Sequence, residues 1–216
     1  MAGLISQLKG KPGQLLVKDS QGRARIFSLT NAYEGDKYDT VIAQANSSGV
    51  IPAGLTLEFF VDVNNKRKNQ TNFSTPRKLD SGEEMLITKL GLQILPAYGN
   101  SILGVNDVKM FLSHCWMEWK INNVLIDEGF ADKYASGYGL YGSTVENGTS
   151  IFSLGMPSQA AIPKLKETFY VNSDYSIYGT LHYDPLVGET APTYTANQIF
   201  AIRAIIHGII KRAASV

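Results

Sequence analysis

Three histidines, one cysteine, a basic cluster and a tyrosine-rich loop are the groups in this 216-residue chain whose chemistry could serve a specific task. His114, His182 and His207 lie far apart, and no two share a helical turn or a strand-pair spacing. A transition-metal site draws several such ligands together, and no His-x-His pair with a following Glu occurs, so neither a metal nor any other cofactor is expected. Nucleophilic catalysis finds no better footing. The Gly-x-Ser-x-Gly elbow is missing, and Cys115 beside His114 on one strand would point to the opposite face. Cys115 reads as a buried structural thiol. The Gly-bearing stretches GSTVENG and SGYGLYGS follow no strand-to-helix pattern that would cradle a phosphate. No enzymatic activity is expected; a hydrolase built from His182 or His207 with Asp184 or Glu189 is the last-ranked alternative.

Two features rise above this background. The first is Lys66, Arg67 and Lys68 with Arg77 and Lys78, interleaved with Asn and Gln. A polyanion contact is one reading, but a solvated loop or a salt-bridged subunit contact ranks above it because the cluster is small. The second is YASGYGLYGS, where Tyr134, Tyr138 and Tyr141 sit among Gly and Ser. Such rings offer rigid faces to a glycan or a partner surface, against the plainer reading of a loop packed on its own sheet.

The totals agree with a chain that works by binding rather than by charge. Twenty basic against nineteen acidic residues leave a net charge of +1, which gives no general attraction for nucleic acid or anionic lipid. One Cys excludes an intrachain disulfide. No apolar run reaches the roughly 18 residues of a membrane-spanning helix, and MAGLISQLKGKPG is too short in apolar residues for a secretory signal. Asn46, Asn69, Asn72 and Asn147, each in an Asn-x-Ser/Thr triplet, therefore read as loop residues rather than glycan acceptors.

The elements that must position these groups are strands. The stretch 84–130 holds both Trp residues and the only Cys. In EMLITKLGLQIL, one parity (Leu86, Thr88, Leu90, Leu92, Ile94) is wholly apolar or Thr, which predicts a strand with a buried face. The run from Val108 to Ile121 is read as a second central strand, its first half buried on both faces and its second half on one. Further strands are expected at 14–18 and 24–30, joined by a turn at 19–22, and at 40–45, 55–63, 151–154, 168–171 and 176–183. A helical turn is expected at 160–166, and long loops at 64–82 and 131–149. Residues 1–13 read as a short arm ahead of one domain spanning 14–216. The segment 198–212 fits a strand by twos and a cationic amphipathic helix by fours; its isoleucines and central Gly208 favour the strand. Eight to ten short strands with long loops predict an all-β fold of two packed antiparallel sheets. The jelly roll is preferred over the immunoglobulin-like sandwich, whose Cys and Trp spacing is absent.

Two segments resemble the jelly-roll capsid proteins of tailless icosahedral bacteriophages that carry an internal membrane. They are FSTPRKLDSGEEMLITKLGLQILP, a polar lead before a long strand, and FAIRAIIHGIIKRA, a closing strand with Arg, a central Gly and a terminal basic pair. The resemblance implies a structural subunit of a virion, made in the host cytoplasm. Its partners would be copies of itself, other capsid proteins and an internal membrane, with no specific nucleic-acid recognition. Contacts would run through the arm, the basic loop and the Tyr-rich loop. A double jelly roll needs about sixteen strands, so the length fits a single one. The alternative is a carbohydrate- or receptor-binding jelly roll of a phage spike or fibre.

Overall fold

The computed structural model describes residues 6–7, 13–19, 21–95, 97–99, 101–135, 137, 144–146, 150–152, 161–185 and 192–212. In chain order the elements are β1 (Ser6–Gln7), β2 (Gln14–Lys18), β3 (Ala24–Ser28), β4 (Ala32–Gln44), β5 (Leu55–Phe59), β6 (Glu84–Leu95), β7 (Ala97–Tyr98), β8 (Ser101–Ile102) and α1 (Val105–Ser113). There follow β9 (Cys115–Ile121), β10 (Val124–Phe130), α2 (Ala131–Ala135), β11 (Thr144–Glu146), β12 (Ser150–Phe152), β13 (Lys164–Asn172), β14 (Ile177–Tyr183) and β15 (Ile199–Lys211). The fold is mostly β and its strand pairs are antiparallel. Two four-stranded sheets carry it, in the orders β13-β6-β15-β4 and β10-β9-β14-β5, and β1-β2-β3 form a smaller sheet. Both four-stranded sheets contribute side chains to one hydrophobic cluster.

The segment 198–212 is a strand. Along all of β15, Ile199 to Lys211 pair with β4, and Ala201 to Lys211 pair with β6, so its backbone is bonded on both sides. Phe200, Ile202, Ala204, Ile206 and Ile210 turn to the core, while Ala201 and Ile205 are buried on the other face as well. A central strand covered on both faces explains an apolar run that suits either period. The ladder slips between His207 and Gly208. A Cβ at Gly208 would stand 1.9 Å from the Leu86 carbonyl oxygen, so the irregularity needs glycine there.

Three expectations about elements are corrected. The run from Val108 to Ile121 is not one strand: residues 105–113 form α1, the chain turns at His114, and only Cys115 onward is extended. Val108, Phe111 and Leu112 are buried at helical spacing, and Phe111 stacks between Tyr183 (5.5 Å) and Phe200 (4.7 Å), which closes one end of the core. His114 and Cys115 are thus not neighbours on a strand. Second, β4 begins at Ala32 rather than Thr40. Its first half, AYEGDKYD, is too polar to alternate, and the structure gives its inward charges their own partners. Third, β13 starts at Lys164, inside the stretch expected as a helical turn. The hairpin of β2 and β3 forms as expected, and Ser6–Gln7 of the expected arm pair with Leu15 and Leu16. Asp19 shapes the hairpin turn by accepting from the Gln21 and Arg23 amides, and it anchors the hairpin to the main fold through the Tyr175 hydroxyl, 2.7 Å away.

Candidate functional site

Strand β9 alternates as CWMEWKI should: Cys115, Met117, Trp119 and Ile121 are buried, and Trp116, Glu118 and Lys120 face outward. The registers on either side carry this alternation across the whole sheet. Phe130, Trp116, His182 and Thr56 form one outward row, and Glu128, Glu118, Thr180 and Glu58 the next. Tyr178 lies beside Lys120 in a third. Trp116 is 37% exposed and Phe130 56%, and their rings meet edge to face at 5.2 Å. This is an aromatic platform bordered directly by carboxylates. Lys120 pairs with Glu118 at 2.5 Å, which raises the lysine's pKa, while Glu128 and the exposed Asp132 have no ion-pair partner among the described residues.

Beneath that face the sheet is tightly filled. A Cβ at Gly179 would stand 2.5 Å from Met117 Cε, so β14 approaches the core side chains of β9 closely. Cys115 is buried, and burial pushes its thiol well above the usual range, which removes the thiolate needed of a nucleophile. Tyr134, expected as a stacking face, is fully buried in α2 with its ring 5.9 Å from that of Trp119. Burial raises its hydroxyl pKa. Its ring belongs to the core. Tyr138 and Tyr141 lie outside the described residues.

The basic cluster is divided among different tasks. Lys66 turns inward and places Nζ 2.9 Å from both oxygens of Asp39, whose side chain is fully buried. The same carboxylate accepts the Phe60 amide at 2.7 Å and so holds Phe60 at φ 66°, a left-handed conformation uncommon for this residue. Arg77 lies over the Tyr178 ring at 5.0 Å and reaches Glu58 at 3.6 Å, while its amide donates to the Phe60 carbonyl at 2.6 Å. Arg67, Lys68 and Lys78 remain exposed. Lys66 and Arg77 therefore pin the loop between β5 and β6 to both sheets. Asn72 completes the attachment by bonding the Tyr38 amide and the Asp36 carbonyl, which covers the free edge of β4.

The outward face of the β15 sheet is ionic where the β9 sheet is aromatic. Arg203 donates to the Asn69 carbonyl (2.6 Å), Thr40 (3.3 Å) and Gln93 (3.4 Å), with its guanidinium over the Tyr38 ring. His207 pairs with Asp36 beside a hollow of about 240 Å³ lined by Glu34, Gly35, Asp36, Lys89, Ile162 and His207. Among the described residues, no three His, Cys, Asp or Glu side chains are placed to hold a metal ion. No helix among them is long and apolar enough to cross a membrane.

No protein-family model, curated protein or solved structure matches this chain. Trp116 and Phe130 were missed as site residues, although Trp116 stands on the polar parity of its strand beside Glu118 and Lys120. A large aromatic on the wrong side of an alternating strand was the available signal; its partner Phe130 needed the register.

Proposed function

We propose that this chain is a single jelly-roll subunit of a viral capsid, of the kind found in tailless icosahedral phages with an internal membrane. The observation that carries the reading is strand order. Numbered along the chain, the eight strands of the two large sheets fall as first-eighth-third-sixth and second-seventh-fourth-fifth. The pairs β4·β15, β5·β14, β6·β13 and β9·β10 are the rungs of one long antiparallel hairpin rolled into two sheets. Such a winding supports the jelly-roll reading, an architecture used by capsid and lectin domains. The ionic loop pinned by Lys66 and Arg77 and the sealed β4 edge support a rigid building block whose contacts are made by side chains on its faces. In this role the protein resides in the virion after synthesis in the host cytoplasm, joined to its own copies and to other capsid proteins, with its inner side toward lipid or genome.

The test is the solution mass of the purified chain by light scattering over a concentration series, with negative-stain microscopy of each species. Discrete closed oligomers that grow with concentration are the expected result. A monomer at every concentration, with no rings or shells, would overturn the assembly reading.

A further inference from the structure

The outward face of the β10-β9-β14-β5 sheet combines exposed rings with hydrogen-bonding groups of both kinds. Across its four strands runs the row Phe130, Trp116, His182 and Thr56. Neighbouring strands stand about 4.8 Å apart, so the row is about 14 Å long, the reach of a short oligosaccharide. Its first half is apolar: the Trp116 and Phe130 rings are exposed and meet edge to face. Its second half is polar, with His182 Nδ1 and Thr56 Oγ1 3.3 Å apart as a donor and acceptor pair.

The groups beside this row also mix donors with acceptors. On one side Glu118 is paired with Lys120 and Glu58 with Arg77, so each of these carboxylates has a cation next to it. Glu128, opposite Glu118 on β10, is exposed; so is Asp184 on the other side of the row, two residues beyond His182. Asp132, also exposed, follows Phe130 by two residues in α2. These last three carboxylates have no ion-pair partner among the described residues. Leu125, a further exposed apolar side chain on this face, stands beside Lys120 and is separated from the rings by Glu128 and Glu118.

We propose that this face binds a neutral oligosaccharide, with Trp116 stacked under one sugar ring, Phe130 flanking it, and Glu128, Glu118, His182 and Thr56 bonding hydroxyls. A pyranose is apolar on its C–H face and polar round its rim, and the row offers a surface for each. Rigid aromatic rings lose little entropy in such a contact. Every sugar hydroxyl both donates and accepts, which suits a border where carboxylates, an ammonium, an imidazole and a hydroxyl stand side by side. Charge separates this occupant from others. A basic segment would compete with Lys120 and Arg77 for the paired carboxylates, and an acidic glycan would bring like charge to Glu128, Asp132 and Asp184. A stable protein interface takes roughly 800 Å² from each partner, for which two rings make a small apolar centre. Jelly rolls serve as lectins as well as capsid subunits, and the site stands whether or not the chain assembles.

The experiment titrates the full chain with maltotriose, cellotriose, mannotriose, galactotriose and chitotriose, read by tryptophan emission and by calorimetry. At least one should bind with a dissociation constant of about 1 mM or tighter. Trp116→Ala should weaken that sugar by at least about tenfold, and Trp116→Tyr should restore much of the loss. Trp116 and Phe130 are exposed, so Trp116→Ala and Phe130→Ala should keep the wild-type circular dichroism and melting temperature. The uronic-acid form of the bound sugar should bind at least about tenfold more weakly, and Glu128→Gln should narrow that gap. Silence from every sugar at about 10 mM overturns the site, as does binding that Trp116→Ala leaves unchanged. A Lys- and Arg-rich peptide that shifts the emission where no sugar does assigns the face to a basic partner, and self-association abolished by Trp116→Ala assigns it to a second copy; either result overturns the glycan. Discrete oligomers that bind no sugar remove the glycan site and leave the capsid reading standing.

Discussion

The two large sheets share a core and differ on their outward faces, although both faces come from alternating strands. On the β15 sheet the outward polar groups are used within the molecule: Arg203 is held by Asn69, Thr40, Gln93 and the Tyr38 ring, and His207 by Asp36. On the β9 sheet the outward row of Phe130 and Trp116 remains largely exposed, with carboxylates beside it. The difference follows the loop between β5 and β6. Its backbone supplies Asn69 to Arg203 and its side chains close the β4 edge, so one face is tied down while the other stays open.

The sharpest way to break that contrast is to release the loop. Asp39→Ala leaves Lys66, 16% exposed, without its carboxylate and the buried Phe60 amide without its acceptor. A loss of about 3–5 kcal/mol in urea unfolding is expected, because a lone buried charge retains its desolvation cost. An unchanged midpoint would mean that the loop is held by other contacts.

The hairpin anchor is a smaller target and has a pH signature. Burial alone would raise the Asp19 carboxyl, but hydrogen bonds from Tyr175, from the Arg23 side chain and from the Arg23 and Gln21 amides outweigh it and hold the group well below its ordinary range. A depressed carboxylate contributes stability above its unfolded pKa, about 3.9, and loses it as pH falls toward the folded value. Asp19→Asn should therefore cost about 2 kcal/mol at pH 7. The gap to wild type should shrink steadily below about pH 4. Equal gaps at pH 7 and pH 3 would show that the carboxylate's charge is not what matters.

Arg203→Lys probes the ionic face itself. Lysine keeps the charge but loses the planar stack on Tyr38 and the fork of bonds, so a cost of about 1 kcal/mol is expected in the same unfolding assay. The smallest stability effect belongs to the open face: Trp116→Phe should alter folding by no more than about 0.5 kcal/mol. It should nonetheless abolish most iodide-accessible fluorescence, since Trp119 is buried. Iodide quenching that survives the change would place Trp119 in contact with solvent and erase the distinction between the two faces.

Much of the strand content could be read directly. The β2–β3 hairpin, β6 and the strand at 199–211 follow from period-two patterns, and the outward parity of Trp116 follows from CWMEWKI. Other parts were hidden for identifiable reasons. Helix α1 was missed because MFLS is apolar enough to satisfy either period, and only the stacking of Phe111 between Tyr183 and Phe200 selects the helix. The first half of β4 was missed because Lys37 and Asp39 point inward, where their partners Glu83 and Lys66 come from a distant loop. The basic cluster looked like one feature along the chain, yet Lys66 and Arg77 turn to separate internal partners.

What the amino-acid sequence determined by itself is local: which residues alternate and where Gly and Asn turn the chain. These depend on backbone periodicity and on groups a few residues apart. Strand order, the pairing of Lys66 with Asp39 and the row that joins Phe130 to Trp116 and His182 were decided only in the tertiary structure. Each depends on register between segments far apart in the chain, and register is set by how all the buried faces fit together at once.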